Sequence, residues 1–129
     1  MRILVVEDEV YVADLIQTVL EELGNDCVLA KSADEADACL AGDSVEFVTL
    51  DVGLPGRSGL DWLESVARSH PDLARRTLII TGMHLDPDGV RRVALCGAGV
   101  LAKPFTVDAL RDAVTSQISS EAREPARGD

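Results

Sequence analysis

Hydrophobic positions along the chain alternate between two periods. Ile3, Leu4, Val5 and Val6 form an unbroken apolar run, the mark of a strand buried on both faces. Val12, Leu15, Ile16, Val19, Leu20 and Leu23 then recur at helical spacing, and Gly24 ends that helix. A weaker strand over residues 27–30 leads to a helix capped by Ser32, with Glu35 completing a capping box, that runs to Gly42. A third strand covers residues 47–50. A loop over residues 53–59 precedes a third helix carrying Leu60, Leu63, Val66 and Ala67. A fourth strand is predicted at residues 77–80, a fourth helix at residues 86–96 and a short fifth strand at residues 100–102. Thr106 caps a last helix with Leu110, Val114 and Ile118 on one face.

This alternation predicts five βα units, hence an α/β fold in which helices cover both faces of a parallel sheet. Right-handed crossovers leave few topologies. One domain over residues 1–118 accommodates the whole pattern. Residues 119–129 are polar, with Pro125 and Gly128, and are expected to fray as a tail.

Composition narrows the functional classes. The 129 residues are 47% hydrophobic, which supports one ordinary core and argues against disorder. Acids outnumber bases by 23 to 12, a net charge of -11. Such a surface repels phosphate backbones and anionic lipid, so neither nucleic acid nor membrane is an expected partner. It favours cations and basic protein patches. No apolar run is long enough for a membrane span, and the first residues do not form a signal peptide. Cys27, Cys39 and Cys96 are odd in number and lack metal-site spacing, as expected of small apolar side chains in the cytoplasm.

In an open parallel sheet, ligands bind beyond the carboxyl ends of the strands. Glu7 and Asp8 follow the first strand, Asp51 the third, Thr81 the fourth, and Lys103 with Pro104 the fifth. Each has an ordinary structural explanation: acids opening a helix, a turn aspartate, a strand threonine, a solvated lysine. Those explanations must hold independently on one edge of the sheet, which makes their conjunction a poor account. Clustered carboxylates recruit a cation, and oxygen ligands on an open edge suit Mg²⁺. A metal, an ammonium and a hydroxyl together match the oxygens of a phosphoryl group, and an aspartate is itself a nucleophile for phosphorus. Asp51 is thus expected to become an aspartyl phosphate.

At this point the chain resembles the receiver domain of two-component response regulators, over residues 2–118. The resemblance rests on Glu7-Asp8-Glu9 after the first strand, and on Asp51-Val52-Gly53-Leu54-Pro55-Gly56 with Ser58-Gly59 behind it. Thr81-Gly82, Gly97-Ala98-Gly99 and Lys103-Pro104-Phe105 complete it, in order and at compatible spacing. It implies a flavodoxin-like doubly wound sheet of strand order 2-1-3-4-5. It implies Asp51 as phosphoacceptor, and Asp8, Asp51 and the backbone carbonyl of Gly53 as Mg²⁺ ligands, with Glu7 acting through water and Mn²⁺ as the alternative ion. Thr81 and Lys103 would bind the phosphoryl group, and Pro104 would be structural, on a cis peptide. The donor would be a phosphohistidine on a sensor histidine kinase or a histidine phosphotransfer protein. The output would be a changed face of the fourth helix, fifth strand and last helix, recognised by an unidentified downstream protein.

The sequence departs from that family at three points. Val100 stands where the family carries a ring that moves with the threonine. Output is therefore expected to run through the loop and helix after the fourth strand. Gly99 and Val100 replace the acids used for one mode of dimerisation, so a monomer or weak dimer is expected. Gly53 and Met83, two beyond the acceptor and the threonine, cannot hold an attacking water by a side-chain hydrogen bond, which predicts a long-lived phosphoryl group. His84 is read as a solvated loop residue, and Trp62 as part of a helix face.

Other functions fit less well. A flavin carrier needs an uncharged phosphate loop and aromatic stacking partners, against Glu7-Asp8-Glu9 and 3% aromatics. An aspartyl-phosphate phosphatase needs a second acid where Gly53 stands. The expected activity is confined to the domain's own phosphorylation and dephosphorylation, without turnover of an external substrate. The alternative is a phosphorylation-independent interaction module.

Overall fold

Four parallel pairings join the strands, and every crossover between them carries at least one helix. In the computed structural model the elements run β1 (Arg2–Val6), α1 (Val10–Glu22), β2 (Asp26–Ala30), α2 (Ala33–Gly42), β3 (Phe47–Leu50) and α3 (Gly59–Ser69). They continue as α4 (Pro71–Arg75), β4 (Thr77–Thr81), α5 (Pro87–Cys96), β5 (Gly99–Ala102) and α6 (Val107–Arg127). The sheet order is β2-β1-β3-β4-β5, as the resemblance implies. The structure describes the backbone of residues 1–127 and side chains up to residue 119. Beyond Ser119, the side chains of the polar tail expected over residues 119–129 lie outside the described residues.

Strand alternation divides the core into two layers. Leu4, Val6, Val48, Leu50 and Ile79 face α2 to α5, around the fully buried Trp62. Ile3, Val5, Phe47, Leu78 and Ile80 face α1 and α6. Covered on both sides, β1, β3 and β4 contain no exposed position, which is why their sequences lack polar alternation. Burying a side chain such as Phe47 contributes about 1.5–3 kcal/mol. The edge strands β2 and β5 are only partly covered, and their sequences are correspondingly mixed.

The helix ends follow their local chemistry. Ser32 Oγ accepts from the Glu35 N–H, but the Glu35 carboxylate reaches the Lys31 N–H rather than closing the box on Ser32. Thr106 Oγ1 accepts from the Ala109 N–H, and Asp86 Oδ1 from the Gly89 N–H. Gly24 and Gly97 adopt φ of 91° and 78°, the left-handed turn that ends a helix. The sequence pattern does not reveal α4. Its five residues are too few to show a period, although Pro71 at its start fixes a helical φ. With α4 counted, the face expected to carry the output is α5, β5 and α6.

Candidate functional site

Backbone hydrogen bonds continue the sheet one residue past its strands and so place the site. The Glu7 N–H donates to Ala30 O at 2.9 Å, Asp51 N–H to Val6 O at 3.0 Å, and Lys103 N–H to Thr81 O at 3.0 Å. These side chains therefore spring from residues whose own backbones are locked to neighbouring strands. Glu7, Asp51, Thr81 and Lys103 meet on the carboxyl edge, with Asp8 beside them at the mouth.

The Lys103 ammonium donates to Glu7 Oε1 at 2.7 Å and to Asp51 Oδ2 at 3.1 Å. The remaining oxygens have partners too. Asp51 Oδ1 accepts from the Gly53 N–H at 2.9 Å, and Glu7 Oε2 from the Glu9 N–H at 3.1 Å. Neither Glu7 nor Asp8 caps α1, whose N-cap is Glu9. Thr81 is buried, and its Oγ1 accepts from the Met83 N–H at 3.1 Å. The Lys103–Pro104 peptide is cis.

Electrostatics follow burial. Desolvation raises the Glu7 carboxyl above its ordinary value, and the nearby Asp51 charge adds to the rise. Hydrogen bonds from Lys103 and the Glu9 N–H oppose it without cancelling it. Burial would lower the Lys103 ammonium, but its bonds to Glu7 and Asp51 outweigh that and raise it. Lys103 is thus held as a cation between two carboxylates.

The donor set suits a divalent ion. Glu7, Asp8 and Asp51 each bring a carboxylate oxygen within 4.8 Å of the others. Oxygen-only donors, one of them on an exposed residue, fit a hydrated Mg²⁺. Among the described residues no other group of acids, histidines or cysteines has such a geometry. The three cysteines are free and partly buried, and burial pushes the Cys27 thiol up to about 11, away from reactivity.

Val100 is 51% exposed and lines an open cavity of 510 Å³ with Thr81, Leu85, Val90 and Lys103. No side chain of β5 closes the space beside the threonine. His84 is exposed, as the sequence suggests. Trp62 lies in the core, and its indole N–H reaches Asp37 on α2. Two contacts escape sequence reasoning. Met83 reaches across to Gly53, where an added Cβ would stand 3.0 Å from its Sδ. Arg57, in the loop after β3, pairs with Asp37. Neither contact follows a local period, so no pattern in the sequence signals it.

The family model of the response regulator receiver domain matches residues 3–115. A transcriptional regulatory protein, AruR of Pseudomonas aeruginosa, is 39% identical over 104 residues, covering 75% of this chain and 40% of the relative. A response regulator protein from Burkholderia pseudomallei was solved with a phosphorylated aspartic acid, a calcium ion and citrate. It is 28% identical with a TM-score of 0.77, over 99% of this chain and 75% of that one. A CheY-like receiver domain protein from Methanospirillum hungatei shares the fold at TM-score 0.85 and 22% identity, over 95% of this chain and 97% of that one. The chain spans less than half the length of the first curated relatives it matches. Among the described residues no helix is long and apolar enough to cross a membrane.

Proposed function

The chain belongs to the response regulator receiver domain family, and on that premise we propose that it is a phosphorylation-activated switch with Asp51 as the phosphoacceptor. One observation carries this reading: Asp51 belongs to the acidic group suited to an ion and also accepts from a lysine ammonium, on the edge of the sheet where ligands bind. The phosphorylated aspartic acid and calcium ion of the Burkholderia relative support it.

Asp8, Asp51 and the carbonyl of Gly53 would hold Mg²⁺, with Glu7 acting through water. When bound, the ion supplies positive charge against the phosphoryl oxygens. An Asp51 carboxylate oxygen forms a bond to phosphorus as the P–N bond of a phosphohistidine breaks. The electron pair leaves with the imidazole, which takes a proton. Lys103 exchanges its bond to Asp51 for one to a phosphoryl oxygen. Thr81 then turns its hydroxyl from the Met83 N–H to the phosphoryl group and draws the loop after β4 with it. The donor would be a sensor histidine kinase or a histidine phosphotransfer protein, and α5, β5 and α6 would present the result to a downstream protein. On this reading the chain catalyses only its own phosphorylation and dephosphorylation.

Borohydride trapping followed by peptide sequencing tests the assignment. Reductive conversion of Asp51 to homoserine after phosphorylation is expected, and conversion of a different acid would overturn it.

A further inference from the structure

Asp37 is a residue of α2, which brings no carboxylate to the Glu7, Asp8 and Asp51 group, yet both of its oxygens face the elements that follow β3. Its Oδ1 accepts the indole N–H of Trp62 at 2.8 Å, and its Oδ2 accepts from Nη2 of Arg57. Trp62 is fully buried, so Asp37 is the acceptor that satisfies a donor otherwise shut away from water. Arg57 lies in the loop that contains Gly53, directly after Gly56, whose φ of 76° turns the chain there. Asp34 adds a longer contact to Arg57 at 3.9 Å.

Val52 and Leu54 of that loop are buried in the core, and three further contacts fasten it. At its start the Gly53 N–H is held by Asp51 Oδ1. At its end Gly59 packs on the acceptor's own backbone, where an added Cβ would stand 2.6 Å from Val52 Cα and 2.7 Å from Asp51 O. Between them, Arg57 ties the loop to Asp37. Met83, from the loop after β4, also lies against Gly53, but the Arg57 pair is the ion pair that ties this loop to α2.

We infer that Asp37 is a positioning residue of the cation site: through Arg57 it holds the loop that presents the Gly53 carbonyl, and through Trp62 it fixes α2 against α3. A helix that contributes no ligand then sets part of the metal affinity. The inference rests on the proposed role of Gly53 as a ligand.

Calorimetric titration of the full chain with Mg²⁺, beside urea unfolding of the metal-free protein, tests it. The variants are Asp37→Asn, Arg57→Gln and Arg57→Lys. Asp37→Asn retains an oxygen for the Trp62 indole and removes the charge that holds Arg57. The Arg57 side chain is 40% exposed, so its replacement leaves the core in place. Asp37→Asn and Arg57→Gln should each weaken Mg²⁺ binding about tenfold. Arg57→Lys should stay within about twofold of wild type. The urea midpoints should not change. Wild-type affinity in both neutral variants would overturn the positioning role while leaving the cation site standing. Weakening that tracks a lowered urea midpoint would show a merely structural role and overturn it as well. A wild-type chain that binds no Mg²⁺ would overturn the cation site itself, and the positioning role with it.

Discussion

Lys103 Nζ stands 3.1 Å from Asp51 Oδ2, a contact between residues 52 positions apart that only the β3–β4–β5 edge brings together. The same ammonium touches Glu7, and the lysine side chain is 14% exposed. It separates two carboxylates that would otherwise repel each other, and on the proposed mechanism it meets the charge that arrives with a phosphoryl group. Replacing Lys103 with Met should leave the fold intact by circular dichroism. It should slow phosphoryl incorporation by about 100-fold, the typical loss when one preorganised charge contact to a transition state is removed. An unchanged rate would remove Lys103 from the mechanism.

The raised Glu7 carboxyl makes stability depend on pH. Burial is the main cause, with Asp51 adding to it. In the window just above the ordinary value of 4.5, the folded protein retains a proton that the unfolded chain has released. The contribution of Glu7 is therefore fully present below that ordinary value and is lost as pH rises through the raised one. Urea unfolding of the metal-free protein, followed from pH 4.5 to neutrality, should show the wild type losing stability relative to Glu7→Gln. A difference between the two proteins that is flat with pH would contradict the assignment.

Met83 and Gly53 meet beside the Asp51 carboxylate. Met83 is 57% exposed, but its thioether lies against Gly53, and neither side chain holds a water by a strong hydrogen bond. The phosphoryl group should accordingly be long-lived. Met83→Gln supplies an amide that orients water, and should shorten the phosphoryl lifetime roughly tenfold. The check is decay of the phosphorylated protein with Mg²⁺ present. Equal decay in the two proteins would show that the site's own groups, not this pair, govern hydrolysis.

The fold was legible because its strongest signals are local. The apolar runs of β1, β3 and β4 exist because those strands are covered on both faces, and Gly24, read as a helix stop, takes the positive φ that ends α1. The site was legible because strand ends in a parallel sheet share an edge, so Glu7, Asp51, Thr81 and Lys103 converge once the order is known. What stayed hidden depends on contacts without period. The five-residue α4 is too short to carry one. The reach of Asp37 to Arg57 and Trp62 spans 20 and 25 residues between separate elements. The Lys103 bond to Glu7 likewise needed coordinates, since the resemblance gave Glu7 a role only through water.

Val100 leaves open the 510 Å³ cavity beside Thr81, so motion of the threonine has no ring to carry it through β5. The response should instead appear in the loop after β4 and in α5, which Arg92 fastens to Asp61 and Glu64 of α3 at 2.7 Å. Amide resonances of residues 82–96 should shift on phosphorylation more than those of β5. A structure of the phosphorylated or fluoroberyllate-bound protein with that loop and α5 unchanged would rule out this route.

Intact mass reads out directly whether Asp51 accepts a phosphoryl group. Wild type and Asp51→Asn are treated with acetyl phosphate and with a phosphohistidine-bearing phosphotransfer protein, each with and without Mg²⁺. The wild type should gain one phosphoryl group in a reaction that requires Mg²⁺, and the variant should gain none. No gain from either donor, or an equal gain in Asp51→Asn, would contradict that role for Asp51 and favour an interaction module that works without phosphorylation.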